Sequence, residues 1–103
     1  MTNMSIKDII PSSARAATPS RDVLSTQLDD EAVLLHVGTK RYYKLNPTGA
    51  TIWSAIEQGL SRDEIVARLC REFDVDADEA GRELKTMFAE LTAKELIVVA
   101  GEV

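Results

Sequence analysis

GTKRYYKLNPTGATIWSAIEQGL, residues 38–60, passes from a turn through a short aromatic strand into a helix that carries the chain's only tryptophan. Gly38 and Thr39 supply the turn. Arg41, Tyr42, Tyr43, Lys44 and Leu45 have the aromatic bias of a strand after it. Asn46 then precedes Pro47, an N-cap residue followed by a proline at the first helical position, where its missing N–H costs nothing. Gly59 closes the segment, because glycine enters the left-handed conformation that ends a helix without a steric penalty. The spacing predicts a helix over 47–58.

Upstream, residues 23–28 alternate weakly, Asp29 and Asp30 offer a turn, and residues 32–37 read as a second strand. With residues 41–45 they make a three-stranded antiparallel meander. Side chains alternate along a strand, so Tyr43 and Leu45 are assigned to the inner face and Tyr42 and Lys44 to the outer one. His36 has no second His and no Cys nearby, and reads as a half-exposed strand histidine and not as a metal ligand.

Downstream, Ser61 and Glu64 form an S-x-x-E capping box. Ile65, Val66, Leu69 and Cys70 then share one stripe of a helix ending near Glu72. Asp76 and Glu79 repeat the capping logic, and Ala80, Leu84, Met87, Phe88 and Leu91 recur at helical spacing to about Glu95. Residues 96–99 are a short apolar run, either a last strand or a tail packed on the core. The expected fold is α+β and winged helix-turn-helix-like, a three-stranded antiparallel sheet followed by three helices over residues 23–99. Residues 1–22 and 100–103 are expected as flexible tails. The first is rich in Ser, Thr, Ala and Pro, with an apolar island at Ile6, Ile9 and Ile10, too little to offset ordering entropy.

At 103 residues and 45% hydrophobic content the chain forms one modest domain. A net charge of −5 opposes attraction to nucleic acid phosphates or an anionic membrane. Cys70 is the only cysteine, which rules out an intramolecular disulfide and fits a reducing cytoplasm. No basic start precedes an apolar run, and no stretch nears the roughly 20 apolar residues that span a bilayer.

The side chains do not assemble a reaction. Asp63, Glu64, Asp76, Asp78 and Glu79 sit where negative charge complements a helix dipole. The serines include no G-x-S-x-G elbow, Gly38, Gly49 and Gly59 are too dispersed to cradle phosphate, and Cys70 falls on an apolar stripe. Trp53, with Ile52 and Ile56, reads as a core anchor. No catalytic residue, metal or cofactor is expected, and the sequence points to binding.

Two ligands suit this fold. A winged helix can read DNA, yet the third helix carries Arg82, Lys85 and Lys94 against Asp78, Glu79, Glu83, Glu90 and Glu95, a net −2 that a duplex repels. The third strand is also an outer edge, with backbone groups free to pair with an extended peptide while the third helix supplies a wall.

The order G-x-x-R-Y-Y-x-L-N-x-x-G-A-x-I-W over residues 38–53, the Gly59-Leu60-Ser61 turn, the Phe73-Asp74-Val75-Asp76 spacing and the close at residues 91–97 resemble PqqD-like proteins. These are leader-peptide recognition elements of ribosomally made, post-translationally modified peptides. The resemblance implies a non-catalytic chaperone that binds the leader of a precursor peptide as an added strand and presents it to a modifying enzyme. That enzyme is a radical S-adenosylmethionine protein in PQQ synthesis. In lasso-peptide pathways, the branch preferred here, a leader peptidase and a cyclase take its place. The matching strand is Lys40, Arg41, Tyr42, Tyr43, Lys44 and Leu45, and the matching helical wall offers Glu79, Arg82, Glu83, Thr86, Met87 and Glu90. The rival readings are a winged-helix transcriptional regulator and an adaptor whose edge pairs with a fixed subunit.

Overall fold

The computed structural model describes residues 15–99. Along them run β1 (Ala17–Pro19), β2 (Val23–Leu28), β3 (Glu31–His36), β4 (Arg41–Leu45), α1 (Pro47–Glu57), α2 (Arg62–Phe73), α3 (Ala77–Ala93) and β5 (Ile97–Val99). Strands β2, β3 and β4 form the expected antiparallel meander with β3 in the centre. Asp29 (φ 59°) and Lys40 (φ 62°) take the left-handed backbone that its two turns require.

Local chemistry sets the helix ends. The Asn46 side chain accepts a hydrogen bond from the Gly49 N–H at 2.8 Å, and the Asp76 carboxylate accepts one from the Glu79 N–H at 2.8 Å. At Ser61 both arms of the capping box form: the Glu64 N–H donates to the Ser61 hydroxyl, and the Ser61 N–H donates to the Glu64 carboxylate. Gly59 stops α1 at a φ of 78°, and Asp74 ends α2 in the left-handed region.

Helix α1 lies on the inner face of the sheet and fills the centre of the core. Trp53, Ile52, Ala55 and Ile56 are buried against Leu34 of β3, Ile65 and Leu69 of α2, and Leu84, Phe88 and Leu91 of α3. Each large apolar side chain buried in this way contributes about 1.5–3 kcal/mol. Tyr43 and Leu45 pack against the same core from β4, on the face assigned to them. Cys70 is partly buried and packs beside it.

Two expectations need correction. His36 is buried, not half-exposed. Its Nδ1 accepts from the N–H groups of Gly38 and Thr39 at 3.1 and 3.2 Å, so the ring folds under the β3–β4 turn and ties it together. At Gly38 a Cβ would stand 3.0 Å from the imidazole, a tight approach that glycine avoids. The amino-terminal boundary also moves. Residues 17–19 form β1, antiparallel to β5 in a second, two-stranded sheet, and Ala16 and Ala17 are core residues. The Ala16 N–H donates to the Leu60 carbonyl and the Ser20 N–H to that of Leu96. Backbone pairing therefore orders a segment whose composition alone does not. Residues 96–99 are the strand alternative, as β5. Residues 1–14, with Ile6, Ile9 and Ile10, and residues 100–103 lie outside the described residues.

Candidate functional site

The pairing register decides which backbone groups of β4 are free. The two-residue turn at Asp29 and Asp30 makes Leu28 and Glu31 a hydrogen-bonded pair, and such pairs alternate along an antiparallel ladder. Glu31, Val33 and Leu35 thus turn their backbone groups to β2, and Ala32, Leu34 and His36 turn theirs to β4. The partners on β4 are Leu45, Tyr43 and Arg41. Tyr42 and Lys44 are left with N–H and C=O groups directed outward, on an edge that pairs with no other strand among the described residues.

A cavity of about 470 Å³ opens beside this edge. Tyr42, Tyr43, Lys44 and Leu45 form one wall, and Glu83, Thr86, Met87 and Glu90 of α3 form the other. The floor is the start of α1, where the Met87 side chain packs on Gly49: a Cβ at Gly49 would lie 3.4 Å from Met87 Cε. Met87 therefore belongs to both core and groove, packing on the core cluster while lining the cavity. At the far end Lys94 completes a stripe along α3 with Glu83, Met87 and Glu90, and its Nζ stands 5.8 Å from the Tyr43 ring centroid. That distance is near the limit of a cation–π contact.

Not all twelve candidate residues meet in this groove. Glu79 and Arg82 line a neighbouring concavity of about 330 Å³ along α3 and share Glu83 and Thr86 with it. Lys40 belongs to the turn before β4, and Arg41 pairs with His36 away from the cavity. The sequence reading missed Thr48, Lys94 and Leu96, all of which line the groove. Lys94 was reachable, being one helical step beyond Glu90 on the same stripe.

The groove is electrostatically mixed. Lys44 on β4 stands across it from Glu83 and Glu90, Lys94 follows those carboxylates on the α3 wall, and Lys44 also pairs with Glu31 at 3.2 Å, an exposed contact of small energetic consequence. No group of three or more His, Cys, Asp or Glu side chains is placed to hold a metal among the described residues. The arrangement suits recognition of an extended chain by main-chain pairing on one side and side-chain packing on the other.

A meander whose β4 edge opens on a cavity, backed by three capped helices and walled by the last of them, defines a small α+β domain of the PqqD type. The sequence profile described as coenzyme PQQ synthesis protein D (PqqD) matches residues 31–97, and the chain belongs to this family. It is 40% identical to the solved structure of TbiB1 in complex with the TbiA(beta) leader peptide, covering 78% of this chain and 93% of that one with a TM-score of 0.74. A lasso peptide synthetase B1 complexed with the leader peptide is 23% identical over 81% of this chain and 98% of its own, also with a TM-score of 0.74, and at that identity bears on the fold alone. Among curated proteins no relative matches the chain.

Proposed function

We propose that this protein is a non-catalytic recognition element that holds the leader of a ribosomally made precursor peptide and presents the precursor to the enzyme that processes it. The observation that carries this reading is the unpaired edge of β4 beside the cavity walled by α3. The leader adds as a strand to Tyr42 and Lys44, and its alternate side chains enter the groove toward Met87 and Thr86. The leader peptide in the TbiB1 structure, at 40% identity, supports a ligand of this class and favours the lasso-peptide branch. A precursor made on ribosomes meets the protein in the cytoplasm, and no helix among the described residues is long and apolar enough to cross a membrane. DNA binding finds no support in the family or in the acidic α3.

Titrating isotope-labelled protein with a synthetic leader peptide tests this. Amide shifts are expected in β4 and along α3 at Glu83, Thr86, Met87 and Glu90. Shifts confined to α2 and the Ser61 turn, with β4 silent, overturn the assignment. In the same assay Arg82→Glu and Glu83→Lys are expected to change affinity about two- to fivefold, as exposed charges do, whereas Arg68→Glu on α2 stays within about twofold.

A further inference from the structure

Helix α3 has a second concave side. Lys85, Ala89 and Thr92 stand about half a turn around the helix from Glu83, Met87 and Glu90 of the β4 groove. On that side a cavity of about 650 Å³ lies between α3 and β5, with Phe88, Ala89 and Ala93 along the helix and Ile97, Val98 and Val99 along the strand. Phe88 and Ile97 are buried, whereas Val98 is 64% exposed. Among the described residues only Arg62 and Lys85 bring charge to the lining, and the Arg62 guanidinium lies 4.7 Å from the Phe88 ring centroid. The cavity is apolar inside and cationic at its rim, and such a surface signals an occupant that is apolar and carries a carboxylate.

We propose that residues 1–14 of the same chain occupy this cavity, with Ile6, Ile9 and Ile10 against Ala89, Ala93 and Val98 and the Asp8 carboxylate facing Arg62 and Lys85. The described chain begins at the rim. The Arg15 guanidinium lies over Gly59, the Ala16 N–H donates to the Leu60 carbonyl two residues from Arg62, and Ala17 stands opposite Val99. Residues 11–15 reach about 16 Å when extended, and α3 rises about 12 Å from Lys85 to Ala93, so Ile10 can meet any part of the cavity. The i, i+3, i+4 spacing of Ile6, Ile9 and Ile10 suits presentation from one side of a helical turn, and Asp8 is the only carboxylate among residues 1–14. This apolar island is too small to build a core of its own. A cavity already lined with apolar surface asks only three side chains of it.

Covalent attachment selects this occupant over a second copy of the chain. A segment joined to the rim meets the cavity at an effective concentration in the millimolar range, whereas a copy must be gathered from solution. Residues 100–103, Ala-Gly-Glu-Val, follow Val99 at the same rim but bring one branched apolar side chain against three isoleucines. The inference stands apart from leader binding, which uses the opposite side of α3.

The test compares full-length protein, methyl-labelled at Ile, Val and Ala, with a chain beginning at Arg15. Nuclear Overhauser contacts are expected between the methyls of Ile6, Ile9 and Ile10 and those of Ala89, Ala93 and Val98. Amides of residues 89–93 are expected to exchange about three- to tenfold more slowly in the full chain, and Ile9→Ser with Ile10→Ser brings them to the rate of the shorter chain. Both substitutions lie outside the described core, so the domain stays folded and the comparison is direct. Identical α3 and Val98 spectra for the two chains overturn the proposal. Shifts that grow with protein concentration assign the cavity to a second copy and overturn it too. The same holds for shifts that persist without residues 1–14 and disappear on deleting residues 100–103, which assign the cavity to the carboxyl terminus.

Discussion

Lys44→Pro is expected to lower leader affinity by about tenfold to a hundredfold while leaving the fold intact. Each main-chain hydrogen bond contributes about 0.5–1.5 kcal/mol, and the proline removes a free-edge donor and also places its ring where the leader strand must lie. Together these losses come to about 1.4–3 kcal/mol, the stated range in affinity. The ladder to β3 survives, because the pairing register directs the Lys44 N–H away from it and the Tyr43 and Leu45 N–H groups toward it. The lost ion pair with Glu31 is exposed and worth at most about 1 kcal/mol. Tyr43→Pro is the matched control: one position away, it breaks the β3 ladder and is expected to unfold the domain. Fluorescence anisotropy with a labelled leader, alongside thermal melts of both variants, checks the pair. A Lys44→Pro protein that binds leader normally excludes strand addition at β4.

That contrast depends on features that the sequence carries at short range. Asn46-Pro47, Ser61 with Glu64, and Asp76 with Glu79 each place a helix start within three or four residues, and all three form as read. The meander follows from the turn at Asp29-Asp30, and the alternation in β4 assigns Tyr43 and Leu45 inward. The free edge and most of the α3 wall are legible for the same reason, since register and helical period fix them. Residues whose placement depends on turn geometry or on distant partners are not legible. His36 is buried because its ring accepts from the turn that follows it, an outcome that depends on turn geometry and not on residue type. Thr48 and Leu96 enter the groove only because α1 and β5 converge on α3 there. Segments of three residues, Ala-Thr-Pro and Ile-Val-Val, are too short for alternation to mark a strand, and a proline in one argues against it.

The β1–β5 pairing has the larger thermodynamic consequence. Relative to a chain beginning at Arg15, one beginning at Arg21 is expected to be less stable. It forfeits the Ala16–Leu60 and Ser20–Leu96 backbone bonds and the three-residue ladder of β1 with β5, each bond worth about 0.5–1.5 kcal/mol. It also uncovers Leu96 and Ile97, both buried in the intact domain, with burial worth about 1.5–3 kcal/mol per side chain when complete. Against these losses, six residues regain backbone freedom at about 1–2 kcal/mol each, which offsets most of them and leaves a net effect much smaller than either side. For a domain of this size each 1 kcal/mol of net loss lowers the melting midpoint by roughly 4–8 °C. Leader affinity is expected to fall as well, because Leu96 lines the groove and its carbonyl holds β1 through Ser20. Differential scanning calorimetry and leader titration of the two truncations measure both effects. Equal midpoints for the two chains would mean that β1 lies on the core without supporting it, and the amino-terminal boundary would return to Val23.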